Sequence, residues 1–127
     1  SKEEEGTAAM KTPPDGWPRI APALFYEDAH AAIDWLCTAF GFEIRIKVEG
    51  DDGGIEHAEL ELPHDGLIMI GQAGGRADRL HCQSPNSVGG ANTQSLCVCV
   101  DDADQHCADA RKAGATIATE PARTPST

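Results

Sequence analysis

A histidine and a glutamate two residues apart, His57 and Glu59, are the side chains of this sequence best suited to acid–base chemistry. They occur in IEHAELEL, where apolar and polar residues alternate as they do in a strand with one buried face. Side chains two residues apart on a strand lie on the same face, so this pair can transfer protons or bind a ligand by hydrogen bonds. The alternative is that both residues belong to the exposed polar face of a half-solvated sheet.

Two cysteines show the same spacing. Ser95, Cys97 and Cys99 occupy alternate positions of SLCVCV, so they share one face of a predicted strand, Ser95–Val100. Two interpretations of the thiols remain open. In the first interpretation the thiols are reactive groups or soft-metal ligands. In the second they are small side chains that fill space at apolar positions.

The composition indicates one domain and excludes two classes of partner. The chain has 127 residues and a formal net charge of −11. This charge would repel phosphates, so we expect no nucleic acid and no membrane among the partners. No apolar run approaches the about 20 residues that cross a bilayer. The five cysteines form no CxxC motif, and no secretory signal is recognisable, so we expect free thiols in a cytoplasmic protein.

Residues 23–41 predict a strand followed by a capped helix. ALFY (Ala23–Tyr26) is a short apolar run, and Asp28 is placed to cap the helix that follows it. Gly41 then ends the helix, as a left-handed residue does after the last turn. The apolar side chains of the helix recur at the spacing of one buried stripe: Ile33, Leu36, Cys37 and Phe40.

Three more strands follow, joined by two turns. GDDGG and PHDG predict hairpin turns on either side of Ile55–Leu62. Leu67–Ile70 is apolar throughout, so we expect a central strand that is buried on both faces. Glu43–Val48 alternates, and its apolar residues are expected to share one half-buried face: Ile44, Ile46 and Val48.

A second copy of this unit begins near residue 94. After the strand Ser95–Val100, Asp101 or Asp102 is expected to cap a helix that Gly114 ends, and Ala115–Ala118 is expected to start another strand. The two copies align with Asp28 on Asp102. The inner side of the second helix is expected to carry Ala103, Cys107 and Ala110.

The second copy is short. Only 13 residues follow Gly114, which leaves room for one strand and not for three. We favour a polypeptide that continues past Thr127 over a proteolysed or partly ordered chain and over completion by a partner subunit. The predicted organisation is a disordered leader at 1–19, a first βαβββ module at 20–71, a connector loop at 72–93 and a truncated second module at 94–127.

These segments resemble the glyoxalase/bleomycin resistance/extradiol dioxygenase (vicinal oxygen chelate) superfamily, and most of all its PhnB-like branch. The segments that carry the resemblance lie between Ile20 and Ile117: PALFYEDAHAAIDWLCTAFGFE, IEHAELELPHDGLIMIGQ, SPNSVGG and VDDADQHCADARKAGATI. The resemblance implies an α+β fold in which two βαβββ modules form a curled mixed sheet, a cup that holds a small-molecule ligand. It also implies a homodimer.

The resemblance places the ligand pocket on the inner face of this cup. The pocket residues are expected to be Phe25, His57, Glu59, Met69, Ser95, Cys97 and Cys99. No residue stands out as catalytic, and whether the protein is an enzyme stays open.

Metal-dependent members of the superfamily place ligands on the first and last strands of each module. By position, the first-strand ligands fall at Ala21 and Ser95, the last strand of the first module (Leu67–Gly71) contains no acid, and the fourth position lies past Thr127. Alanine and aliphatic residues do not ligate a hard or borderline cation, and serine is a poor replacement for histidine. We therefore expect a protein without a metal or other cofactor that binds a small molecule. The alternative is a metal-dependent glyoxalase-like lyase or isomerase, or a dioxygenase, with relocated ligands.

Overall fold

A four-stranded mixed sheet forms the centre of the computed structural model, which describes residues 10–122. Its strands are β1 (Ala23–Tyr26), β2 (Glu43–Glu49), β3 (Ile55–Leu62) and β4 (Gly66–Gln72), in the order β1-β4-β3-β2. β1 runs parallel to β4, and the other two pairs are antiparallel. The α+β class and the strand–helix–three-strand order of the first module are confirmed, and the sheet is open.

Helix α1 (Ala29–Phe40) covers one face of the sheet over β1, β3 and β4. Asp28 caps it as predicted, since its Oδ1 accepts a hydrogen bond of 3.0 Å from the backbone N–H of Ala31. Gly41 ends the helix with a left-handed φ of 78°. Ile33 and Leu36 are buried as expected, whereas Cys37 and Phe40 at the end of the stripe are only partly buried.

The core lies between α1 and the sheet. It contains alternate residues of β3 and β4, namely Ala58, Leu60, Ile68 and Ile70. β4 is central, and the predicted burial of Leu67–Ile70 holds for every residue but Met69, which lies on the face that α1 does not cover. That uncovered face is free to hold a site.

Strand β2 differs from its prediction in two ways. A bulge breaks the alternation, because Ile44 pairs with Leu60 whereas Ile46 pairs with Glu59, two positions against one. Ile44 therefore shares the helix-side face with Leu60, and Ile46 and Val48 lie on the opposite one. All seven residues are exposed, so the predicted half-burial is wrong; β2 is an edge strand, beyond the three strands that α1 packs over.

The second unit contributes a helix and no strand within residues 94–122. Neither Ser95–Val100 nor Ala115–Ala118 is a strand, so these two predictions are wrong for the described chain. A strand needs a neighbour to take up its backbone hydrogen bonds, and no backbone hydrogen bond within the described residues involves 95–101. The cup made of two modules therefore stays a prediction.

Helix α3 (Ala103–Lys112) packs on α1. Asp102 caps it, with Oδ1 accepting from the N–H of Gln105 at 3.0 Å. The indole N–H of Trp35 donates to the carbonyl of Ala113 at 2.8 Å, and the Phe40 and His106 rings lie 4.9 Å apart. Of the predicted inner residues, Ala110 is buried, Cys107 is partly buried and Ala103 is exposed.

Two short turns of helix interrupt the predicted connector loop: α2 (Arg76–Arg79) and a 3-10 turn at Pro85–Val88. Ser84, 2% exposed, donates to the Glu27 carboxylate at 3.1 Å and so ties the connector to the end of β1. Residues 1–9 of the predicted leader lie outside the described part. Between residues 10 and 122, no helix has the length and apolarity needed to cross a membrane.

Candidate ligand-binding groove

A groove of about 330 Å³ lies on the sheet face opposite α1. Strands β1, β3 and β4 form its floor, and the Gly50–Gly54 turn and the start of the connector form its walls. The volume falls at the small end of the range of ligand sites, which is about 300–1,000 Å³. The side chains that bear on the argument below are Phe25, Asp52, Glu56, His57, Met69 and Arg76.

Phe25 and Gly71 together shape the floor. They are direct partners in the parallel pair of β1 and β4. A Cβ atom at Gly71 would lie 2.8 Å from Cε1 of Phe25, closer than carbon atoms pack, so the ring lies across β4 only because residue 71 has no side chain. Met69, opposite Ala23, adds a flexible apolar side chain next to the ring.

His57 and Glu59 form a pair on β3, as the alternation predicts. His57 Nε2 lies 2.8 Å from Glu59 Oε2, and Glu59 is only 8% exposed. A carboxylate accepts hydrogen bonds and donates none, so Nε2 is the donor of this pair, and the other ring nitrogen, Nδ1, remains available for a hydrogen bond to a ligand.

Arg45 holds the other side of the Glu59 carboxylate, with Nε 3.3 Å from Oε1. The same guanidinium donates from Nη1 to the carbonyl of Gly16 at 2.7 Å and lies 5.5 Å from the centre of the Trp17 ring. Residues 15–17 of the predicted leader are thus held against β2 by a side chain that also neutralises the buried carboxylate. A buried carboxylate needs such partners, because an unpaired charge is costly to remove from water.

The seven predicted pocket residues do not stay together. Phe25, His57 and Met69 line the groove, and Glu59 contacts His57 from the side. The other three lie away from the groove on the exposed, irregular segment 95–100: Ser95, Cys97 and Cys99. The predicted strand has no neighbour in the described chain, so a pocket that includes these three residues stays a prediction. The thiols also do not act as core fillers, since both are exposed.

Several residues of the site were not predicted, and three of them show why: Arg45, Gly71 and Arg76. The alternation of Glu43–Val48 puts Arg45 on the face opposite Ile46, and only the bulge brings it beside Glu59. Gly71 and Arg76 belong to GQAGGR, which matches no phosphate-binding pattern and therefore carried no signal. Phe25 and Gly71 lie side by side on two parallel strands, and the sequence does not show this until the register of the strands is known.

The fold and the groove define a glyoxalase-type βαβββ protein with an open sheet face. The chain belongs to the Glyoxalase/Bleomycin resistance protein/Dioxygenase superfamily, whose family model matches residues 19–127. No curated protein matches the chain significantly.

Three solved structures show the same fold at low identity. TioX from Micromonospora sp. ML1 is 24% identical, with a TM-score of 0.56 over 85% of this chain and 82% of TioX. The hypothetical protein SA1046 from S. aureus is 15% identical, with a TM-score of 0.53 over 84% of this chain and 77% of its own. A glyoxalase/bleomycin resistance protein/dioxygenase from Nocardioides is 18% identical, with a TM-score of 0.51 over 98% and 80%. At these identities the likeness is one of fold alone.

The metal positions implied by the family do not fit a metal here. Ala21 has no donor atom, β4 contains no acid, and Ser95 lies on the exposed segment away from β4. Within residues 10–122, no three side chains of His, Cys, Asp or Glu gather closely enough to hold an ion. The donor set of the described chain therefore disagrees with the family's metal chemistry.

Proposed function

We propose that this protein binds a small, partly aromatic molecule in the groove over β1, β3 and β4, and that it does so without a metal. The observation that carries the proposal is the floor itself, where Gly71 leaves room for the Phe25 ring and His57 stands at the side with one nitrogen free. An aromatic ring and a thioether provide apolar contact, and a polar group at the edge fixes orientation, as in many ligand sites.

The charges of the groove suggest what the ligand carries. Asp52 and Glu56 lie on one rim and Arg76 on another, so the groove itself is mixed although the chain as a whole has a net charge of −11. The net charge favours the approach of cations. The rim alone favours a ligand with a positively charged group at one end and a negatively charged group at the other. A comparison of ligands with one ring system and different charges separates these effects.

The test is ligand-observed saturation-transfer NMR with 2-naphthol, 2-naphthoate and 2-naphthylmethylammonium. We expect at least one of them to bind the wild-type chain and to bind Phe25→Ala at least about tenfold more weakly, since a buried aromatic contact contributes about 1.4 kcal/mol or more. Val88→Ala, which changes an exposed apolar side chain outside the groove, is the matched control. Equal binding by Phe25→Ala and wild type, or no binding of any of the three, would contradict the proposal.

A second copy of the chain is the proposed partner. β1 pairs with β4 on one side only, and the apolar side chains Leu96 and Val100 of the unpaired segment are 46% and 40% exposed. Edges and apolar segments of this kind are commonly covered by strand addition. Sedimentation velocity should give a dimer that Leu96→Lys dissociates; a wild-type monomer at high concentration would argue against it.

Free thiols are consistent with the proposed cytoplasmic location.

The second candidate function is enzymatic and rests on the His57–Glu59 pair. A histidine oriented by a buried carboxylate is suited to general acid–base catalysis, and relocated metal ligands would include the same two side chains. Metal analysis of the purified protein separates the candidates. About one tightly held Zn, Ni, Mn or Fe per chain, lost in His57→Ala and Glu59→Gln, would favour the enzyme.

A further inference from the structure

We propose that His30 is a positioning residue of the groove. From the helix side of the sheet it fixes the Gly50–Gly54 turn that forms one wall, and so raises the affinity for a ligand that it does not touch. His30 lies in the first turn of α1 and is not among the residues that line the groove. The proposal rests on the function proposed above, since it concerns ligand binding in the same groove.

His30 is joined to the turn by a hydrogen bond. Its Nε2 atom lies 2.8 Å from the carbonyl oxygen of Gly53. A carbonyl oxygen accepts hydrogen bonds and donates none, so Nε2 is the donor. The Oε1 atom of Glu49 lies 3.7 Å from the same nitrogen, which is too far for a hydrogen bond. The contact with Gly53 is therefore what joins α1 to the turn.

The turn needs such a contact because little else restrains it. Three of its five residues are glycine, which loses the most conformational freedom on ordering, and none of the five is fully buried. Its other hydrogen bonds are internal: the N–H of Gly53 donates to the carbonyl of Gly50 at 2.9 Å, and the N–H of Gly54 donates to Asp52 Oδ1 at 2.9 Å. Among the described residues, His30 supplies the hydrogen bond that reaches the turn from another element.

The order of the turn matters for binding because the turn is a wall of the groove. Gly50, Asp52 and Gly54 all line the groove. A ligand that contacts this wall binds only the chains in which the wall is in place, so the apparent affinity falls in proportion to their fraction. A contact on the helix side of the sheet thus changes binding on the opposite side.

A second lining residue is tied to the same part of α1. Gln72 lines the groove at the end of β4, and its Oε1 accepts a hydrogen bond from the N–H of Ala29 at 3.3 Å. Its Nε2 donates to the carbonyl of Glu27. The start of α1 therefore holds the groove at two points, and His30 is the one that can be changed without altering a lining side chain.

The test compares His30→Leu with His30→Gln. Leucine has no donor, whereas the amide nitrogen of glutamine can take the place of Nε2 and donate to Gly53. In the ligand-free chain, NMR should show amide exchange at Gly53 and Gly54 roughly three- to tenfold faster in His30→Leu, as for the loss of one hydrogen bond. In His30→Gln the exchange should stay near the wild-type rate.

Affinity is measured with the best-binding of the three naphthyl probes named above. It should fall in His30→Leu by a factor similar to that of the exchange and be kept in His30→Gln. Thr38→Ala is the matched control, because the Thr38 hydroxyl donates to the carbonyl of Asp34 in the same helix, at 3.0 Å, and does not reach the turn. It should change neither exchange at the turn nor binding.

Three results would overturn the proposal. One is equal exchange at the turn in wild type and His30→Leu. Another is faster exchange with unchanged affinity, which would mean that the turn does not govern binding. The last is an equal loss in His30→Gln and His30→Leu, which would assign the effect to the ring rather than to its hydrogen bond. Absence of binding by the wild type would contradict the function proposed above and, with it, the effect on affinity, whereas exchange at the turn still decides whether His30 positions it.

Discussion

Gly71 controls how the Phe25 ring lies on the floor of the groove. The Cβ of Gly71→Ala would stand 2.8 Å from the ring, so the ring must tilt away or the two strands must separate. We expect a loss of about 1–3 kcal/mol in the free energy of unfolding, as for other overpacked sites, measured by urea denaturation. The same substitution in a Phe25→Leu background should cost less, because the smaller side chain no longer meets the Cβ. An equal cost in both backgrounds would show that the ring is not what the methyl group meets.

Tyr26 gives a pH dependence whose sign follows from burial. Burial raises the pKa of its phenol above the ordinary value of 10.0, so the folded state favours the neutral form. The stability that comes from keeping the Tyr26 phenol neutral is complete below the unfolded pKa, at a pH of about 10. It is lost as the pH rises through the higher pKa of the folded state. The free energy of unfolding should therefore fall more steeply above pH of about 10 in the wild type than in Tyr26→Phe.

The raised Tyr26 pKa can also be measured directly. Tyr26 is the only tyrosine of the sequence, so the phenolate absorbance of the chain titrates this residue alone. The midpoint should lie higher in the folded chain than in urea-unfolded chain. Coincident midpoints, or parallel stability curves for wild type and Tyr26→Phe, would contradict the assignment.

At the scale of elements, the bulge in β2 links the predicted leader to the site. It turns Arg45 toward Glu59, and the same guanidinium holds Gly16 and Trp17. Arg45→Met should release this stretch, so trypsin should cut after Arg19 roughly tenfold faster, as expected when about 1.4 kcal/mol of local closure is lost. The experiment compares cleavage rates by mass spectrometry.

Lys47→Met is the matched control for this experiment. Lys47 lies on the same strand but pairs with Ala58, on the helix side of the sheet, so its loss removes a basic side chain without touching the leader. Trypsin should cleave the Lys47→Met variant after Arg19 at the wild-type rate. Equal acceleration in both variants would mean that β2 as a whole, rather than the Arg45 contact, restrains residues 15–17.

Local patterns predicted the elements of the first module well, and partnership between elements explains where they did not. The caps at Asp28 and Asp102 depend on neighbours in sequence. Asp28 occurs as predicted, and Asp102 is one of the two candidates, Asp101 and Asp102, that the sequence left open. The His57–Glu59 pair is likewise a property of one strand. By contrast, the bulge at Arg45 depends on the register with β3, and a strand at Ser95–Val100 depends on a neighbour that the described chain does not supply. An alternating pattern shows which face a residue takes, but it does not show whether a neighbouring strand is present.

At the scale of the whole molecule, the two units are joined through their helices. The Trp35 indole N–H donates to the carbonyl of Ala113, just past the end of α3, and the Phe40 ring packs against His106. Ala110 is the residue of α3 that this contact buries most. The stability of α3 therefore depends on its contact with α1, because the helix has 10 residues and isolated helices of this length are marginal in water.

Trp35→Phe tests this dependence. The substitution removes the donor to Ala113 and keeps an aromatic ring beside Phe40, so we expect a loss of about 1 kcal/mol at the contact. Hydrogen exchange should become faster in residues 103–112 and stay unchanged in β3 and β4, because the central strands do not rely on α3. Trp17→Phe, at the other tryptophan, should leave exchange in α3 unaltered. If exchange accelerates equally in α3 and in the central strands, the chain unfolds as one cooperative unit. Helix α3 is then part of the core of the first module rather than an element docked on it.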